Sequence, residues 1–168
     1  MTTFHLKQYH IISTLVEDKP GVLQKVSSLF TRRGFNIESI TVGKSETKAL
    51  SRMVIIVTGD QKVLEQVIKQ LNKLVDVIKV KDLDKNTSVM RELCLIKVKA
   101  EDEKSKLEIM QYVNVFRAKV VDISDDSMII EVTGSISKID ALISLLKHHG
   151  IKKIARTGST AMARGKKQ

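Results

Sequence analysis

The sequence predicts an α+β chain of two tandem βαββαβ modules, and three observations carry that prediction. Periodicity alternates between short β-rich runs and helical stripes in the order strand, helix, strand, strand, helix, strand. The second half repeats this order, with Met53-Val54-Ile55-Ile56-Val57-Thr58-Gly59 matching Met128-Ile129-Ile130-Glu131-Val132-Thr133-Gly134 at an offset of 75 residues. Finally, 168 residues that are 42% hydrophobic and 29% charged can build two small cores.

The elements follow in chain order. Tyr9 to Val16 is a first apolar strand, and Val22, Val26, Leu29 and Phe30 then share one helical face. Pro20 suits the first turn of that helix and Gly34 the position just past its end. Two β runs, Asn36 to Val42 and Arg52 to Thr58, flank the polar loop GKSETKALS; with no helix between them they should pair antiparallel. Gly59 and Asp60 introduce a second helix striped by Val63, Leu64, Val67, Ile68, Leu71 and Leu74, and Val77 to Leu83 closes the unit. This is the ferredoxin-like arrangement, two helices over one face of a four-stranded sheet.

In the second half Ile139, Ile143 and Leu146 correspond to Leu64, Ile68 and Leu71, and Lys99-Ala100-Glu101-Asp102 to Leu15-Val16-Glu17-Asp18. The two offsets, 75 and 84, place about nine extra residues in the first hairpin loop, opposite a tight Asp125-Asp126 turn. The expected domains are 1–84, a linker 85–90, a second module 91–158 and a basic tail 159–168.

Composition excludes several functions. The net charge is +10, yet residues 152–168 hold six basic and no acidic residues, leaving 23 basic against 19 acidic elsewhere. The positive charge is partly a tail effect. No apolar run approaches the roughly 18 residues of a membrane span, and MTTFHLKQYH lacks a signal-peptide core, so a cytoplasmic location is expected. A single cysteine, Cys94 in the run LCLI, reads as a reduced core residue. His5 and His10 lie near the N-terminus, and His148 and His149 close a helix, where capping is the expected role; neither pair has a cysteine or carboxylate at ligand spacing. Asp125 and Asp126 suit a turn. No catalytic residue and no metal site are expected. The RNA-binding module with the same element order stacks bases on aromatics of its central strands, which Ser51 to Val57 lack. Their unbroken aliphatic character, Met53 to Val57, fits either a strand buried on both faces within one chain or a dimerisation surface.

The segment richest in chemistry is Glu17-Asp18-Lys19-Pro20-Gly21-Val22-Leu23, where a strand meets a helix N-terminus whose unpaired N–H groups and dipole favour a carboxylate. Gly21 admits close approach, and Asp18 suits either capping the helix or holding an ammonium group. A simple strand-to-helix turn would use the same residues, but the second module has Asp102-Glu103-Lys104-Ser105-Lys106 there, so the fold does not require Pro-Gly. Asn36 likewise faces Val120 in the repeat, and its amide offers both acceptor and donors to a zwitterion.

The runs EDKPGVLQKVSSLFTRRGFNIESITVG, LSRM and ARTG closely resemble the small regulatory subunits of acetolactate synthase, also called acetohydroxyacid synthase, over most of residues 9–158. The resemblance implies an N-terminal ACT domain, a C-terminal ACT-like domain and a noncatalytic, homodimeric subunit. Such a subunit activates a separate catalytic large subunit, in which thiamine diphosphate, Mg2+ and FAD are expected, while the chain itself carries no cofactor. It also implies feedback by a branched-chain amino acid, usually valine, held between two ACT domains. Carried over, the effector residues are Asp18, Pro20, Gly21, Val22 and Leu23 from one chain, with Asn36 and Ile37 from the other. Asp18 stands where the family frequently carries Asn, and the hairpin loop SETKA lacks the family's usual Pro and Gly. The alternative is a free-standing ACT-type amino-acid sensor with another partner.

Overall fold

The structure, a computed structural model, describes residues 9–165, which form eight strands and four helices in two compact units. The first unit comprises residues 9–89 together with 159–165, the second residues 90–158.

In the first unit β1 (Tyr9–Glu17), α1 (Val22–Arg33), β2 (Ile37–Lys44), β3 (Leu50–Thr58), α2 (Gln61–Leu71) and β4 (Val77–Leu83) build an antiparallel sheet of order β2-β3-β1-β4. The α1 stripe is buried as its spacing predicts, and the helix stops at Gly34, whose φ of 68° is a left-handed cap. Val22, Val26, Leu29 and Phe30 pack with Leu64, Val67 and Leu71 of α2 over Ile12, Val16, Met53, Ile55 and Val57. Pairing sets the register: Ile12 opposes Ile55, while Ile11 opposes Ile56 on the other face.

That other face is also covered. Met53 to Val57 are all at most 4% exposed. Ser39 and Thr41 oppose Ile56 and Val54, and from that side the Ser159 N–H donates to Ser39 Oγ at 3.0 Å while Thr41 Oγ1 donates to the Ser159 carbonyl at 3.3 Å. Of the two expectations for this aliphatic strand, burial on both faces within one chain is what the structure has.

The second unit is built from β5 (Ser88–Lys99), α3 (Glu103–Val115), β6 (Lys119–Ile123), β7 (Ser127–Gly134), α4 (Ile136–Leu146) and β8 (Ile151–Ala163), with sheet order β6-β7-β5-β8. Cys94, Ile96, Val98, Met128, Ile130 and Val132 meet Ile109, Val113, Ile139, Leu142 and Leu146 in its core. Burial raises the Cys94 thiol above its ordinary pKa and keeps it neutral.

Three boundaries differ from the sequence reading. Residues 159–163 are not a tail: they continue β8 and belong to the first unit, in which Ser159 and Ala161 are buried. Ser88 to Met90, read as linker, begin β5, and the Arg164 N–H donates to the Thr87 carbonyl. The extra hairpin residues do not all form loop; β2 and β3 run eight and nine residues against five and eight in β6 and β7, leaving 45–49 between them.

One polar group in the first core has no counterpart. Thr14 is fully buried and its Oγ1 has no hydrogen-bond partner among the described residues. An unsatisfied buried hydroxyl costs about 1 to 3 kcal/mol. Thr14→Val, nearly the same shape, is therefore expected to raise the urea midpoint of the first unit by the equivalent of roughly 1 kcal/mol; a lowered midpoint would show that the hydroxyl is satisfied in solution.

Candidate effector site

The turn between β1 and α1 is shaped by two residues. Pro20 and Gly21 occupy the centre of a four-residue turn closed by Val22 N–H to the Lys19 carbonyl, 3.4 Å, and Gly21 has φ 86° and ψ −10°. These are the angles of the third position of a type II turn, which glycine fills without strain. Pro20 thus precedes the helix rather than entering its first turn, since its fixed φ serves the turn's second position.

The consequence is an N-terminus with no side-chain cap among the described residues. Gly21 has no side chain to offer, the first turn contains no acidic residue, and the Lys25 N–H donates to the Gly21 carbonyl at 3.0 Å. The N–H groups preceding Lys25 lie in the turn that an α-helix leaves without internal acceptors. A Cβ built on Gly21 would meet nothing within 4 Å, so the approach is open.

Asp18 does not cap α1. Its N–H donates to the Ala49 carbonyl at 2.9 Å, and its Oδ1 accepts from Ser51 Oγ at 3.2 Å, which fixes an exposed carboxylate beside the turn. Of the two roles expected for it, the structure does not show capping; the carboxylate accepts from Ser51 instead. Nearby, Lys19 pairs with Glu17 at 2.8 Å, and Lys25 pairs with Asp76 at 2.6 Å, holding that carboxyl below the usual range. Acidic and basic side chains thus stand side by side around the turn, with both lysines paired.

The other half of the expected site is elsewhere. Asn36 and Ile37 follow the C-terminal end of α1, and twelve helical residues separate them from Gly21 by about 18 Å. Asn36 is exposed and its Nδ2 donates to Glu38 Oε1 at 2.8 Å, an oxygen that also accepts from Thr58 Oγ1 at 3.1 Å. This leaves the amide oxygen pointing to no partner within the described residues. Ile37 packs on the first core, and so does Val22, whose side chain is buried; only its backbone is available to a ligand. One chain cannot close both groups around one amino acid.

Ser51 and Ala49 were missed from sequence. The run LSRM contained the signal: Ser51 grips Asp18, Arg52 pairs with Glu46 at 2.7 Å, and Met53 enters the core.

The second module answers the same problem differently. Asp102 caps α3, accepting from the Ser105 N–H and Ser105 Oγ at 2.8 Å each, and Glu103 adds a further acid in the first turn. A carboxylate already sits where a ligand's would. The helix N-terminus of the first module lacks one.

The chain matches two family models, "AHAS small subunit-like ACT domain" over residues 12–79 and "Small subunit of acetolactate synthase" over residues 91–165. A probable acetolactate synthase small subunit of Methanothermobacter thermautotrophicus is 62% identical over 156 residues, 93% of each chain. The acetolactate synthase small subunit of Mycolicibacterium smegmatis is 53% identical, covering 93% of this chain and 91% of the relative. Among solved structures, the acetolactate synthase small subunit of Thermotoga maritima superposes with a TM-score of 0.88 at 51% identity, over 94% of this chain and 98% of that one.

Proposed function

The chain belongs to the acetolactate synthase small-subunit family, and from that premise we propose that it is the noncatalytic regulatory subunit of acetolactate synthase. In this reading it activates a thiamine diphosphate-dependent catalytic large subunit and makes that enzyme sensitive to valine. The observation that carries the effector site is the contrast between the two modules: α1 begins uncapped beside a fixed Asp18, whereas α3 is closed by Asp102. A valine carboxylate would accept from the first-turn N–H groups, and Asp18 would hold the ammonium group.

The roughly 18 Å between the two groups implies that Asn36 comes from a second copy. An isologous dimer through the first module would create two equivalent sites. The aliphatic faces of β3 are used within the chain, so the dimer contact falls to α1 and to β2, an edge strand of its sheet. Among the described residues no helix is long and apolar enough to cross a membrane.

Calorimetric titration of the full chain with valine, leucine and isoleucine tests the reading. One amino acid is expected to bind at one equivalent per chain, with sedimentation showing a dimer at micromolar concentration. A monomer with or without ligand, or no heat with any of the three, would remove the effector site as described.

A further inference from the structure

His148 and His149 have no neighbouring ligand in sequence, but the fold supplies one from 40 residues away. Glu108, on the exposed side of α3, reaches the 3-10 turn Lys147–His149 that ends α4. Glu108 Oε1 lies 3.4 Å from His148 Nε2 and Glu108 Oε2 lies 3.8 Å from His149 Nε2, and one donor atom from each of the three residues fits within 4.8 Å of the others. We propose that Glu108, His148 and His149 bind a divalent transition-metal ion of the zinc class, clamping α3 to the end of α4 in the second module.

The independent observation is His149. Its side chain is 6% exposed, and its Nε2 is buried with no hydrogen-bond partner among the described residues, because the Glu108 oxygen stands beyond hydrogen-bonding reach. A buried ring nitrogen without a partner is costly. Aimed at two other donor groups, it has the form of a ligand lacking its ion. Capping of α4 does not explain it, since capping would engage the nitrogen with a carbonyl.

The His148 and His149 rings lie side by side, with centroids 3.9 Å apart. Tyr112 OH donates to Glu108 Oε1 at 2.7 Å. Such an outer hydrogen bond orients a ligating carboxylate. Ligands at about 2.0 to 2.2 Å from a tetrahedral ion stand roughly 3.3 Å apart, so closure requires only a modest contraction, led by the exposed His148. Two imidazoles and one carboxylate leave a fourth position for water.

The test uses the full chain after chelator treatment, with zinc chloride alone as the probe. About one Zn2+ per chain should bind with micromolar or tighter affinity and raise the melting temperature. His148→Ala, at an exposed position, and Glu108→Gln should each weaken binding by at least about tenfold, and Tyr112→Phe by roughly tenfold, with unchanged far-ultraviolet circular dichroism. Cobalt(II) should give visible bands of a low-symmetry site that His148→Ala abolishes. Absence of binding below about 100 μM, or binding that neither His148→Ala nor Glu108→Gln weakens, would overturn the proposal.

Discussion

Gly21→Asp and Asn36→His are expected to preserve activation of the catalytic large subunit while abolishing its response to valine. Gly21 faces open space, so a new aspartate side chain enters the approach to α1 without displacing a neighbour. Its carboxylate would compete for the N–H groups proposed to hold the effector. The residue's φ of 86° adds strain of about 1 to 2 kcal/mol for any L side chain, which Asp tolerates better than most. Gly21→Ala separates the two effects, since it brings the strain without the charge and should keep a weakened response. Asn36→His removes the amide, while Glu38 keeps its bond from Thr58. Neither side chain belongs to the core, so the module should fold. Valine can shift the regulatory equilibrium only by its differential affinity for two states, typically about 1 to 3 kcal/mol, or 5- to 150-fold in affinity. The measurement is partner activity with each variant across a valine titration. Full sensitivity in both variants would take these residues out of the site; loss of activation as well would make the turn purely structural.

The distance over which a signal acts explains what was legible. The stripe Val22, Val26, Leu29 and Phe30 and the cap at Gly34 are local, and the structure reproduces them. The repeat was equally plain, because a shared core demands the same apolar positions at β3 and β7 and along α2 and α4. Pro20-Gly21 was visible as punctuation, but whether it opened the helix or preceded it depended on the Lys19 carbonyl. Asp18 offered two roles from sequence, and the choice lay with Ser51 and Ala49 across a strand pair. Residues 159–163 read as part of a solvated tail because the C-terminal end is basic and contains Gly and Ser; the contacts of Ser159 come from Ser39 and Thr41, some 120 positions earlier. Glu108 and the two histidines meet for the same reason, through the packing of α3 on α4 and not through spacing. This limit also changes how the site can be tested. Truncation after the first βαββαβ repeat would strip residues 159–165 from the sheet that carries the site, so point substitutions are the cleaner probe.

Arg156→Met is expected to destabilise the second module by about 1 to 3 kcal/mol, the usual cost of taking a partner from a buried hydrogen-bonded group, here with a guanidinium one-third exposed. In the run ARTG this arginine is the centre of a network. Its Nε donates to Glu92 Oε1 at 2.6 Å, one terminal nitrogen to Glu92 Oε2 at 3.0 Å, and the other to Asp140 Oδ1 at 2.8 Å. The Glu92 side chain is only 4% exposed, and the guanidinium supplies two of its hydrogen bonds. The two acids in turn raise the Arg156 pKa above its already high ordinary value, Glu92 acting most strongly. Thr157 adds to the same joint, its Oγ1 accepting from the Leu93 N–H and donating to the Leu93 carbonyl. Because small domains are stable by about 5 to 15 kcal/mol, the loss is a measurable fraction of the second module's stability. Arg156→Lys should recover little, since an ammonium group cannot make the paired contacts of a guanidinium fork. The double replacement Glu92→Met with Arg156→Met should be more stable than Arg156→Met alone, because it removes the buried charge together with its partner. Urea denaturation of the four chains, followed by hydrogen exchange to locate the loss, decides the matter. Exchange confined to β5, α4 and β8 is the expected pattern, whereas a midpoint within the equivalent of about 1 kcal/mol of the parent would show a solvated pair of the kind that contributes little.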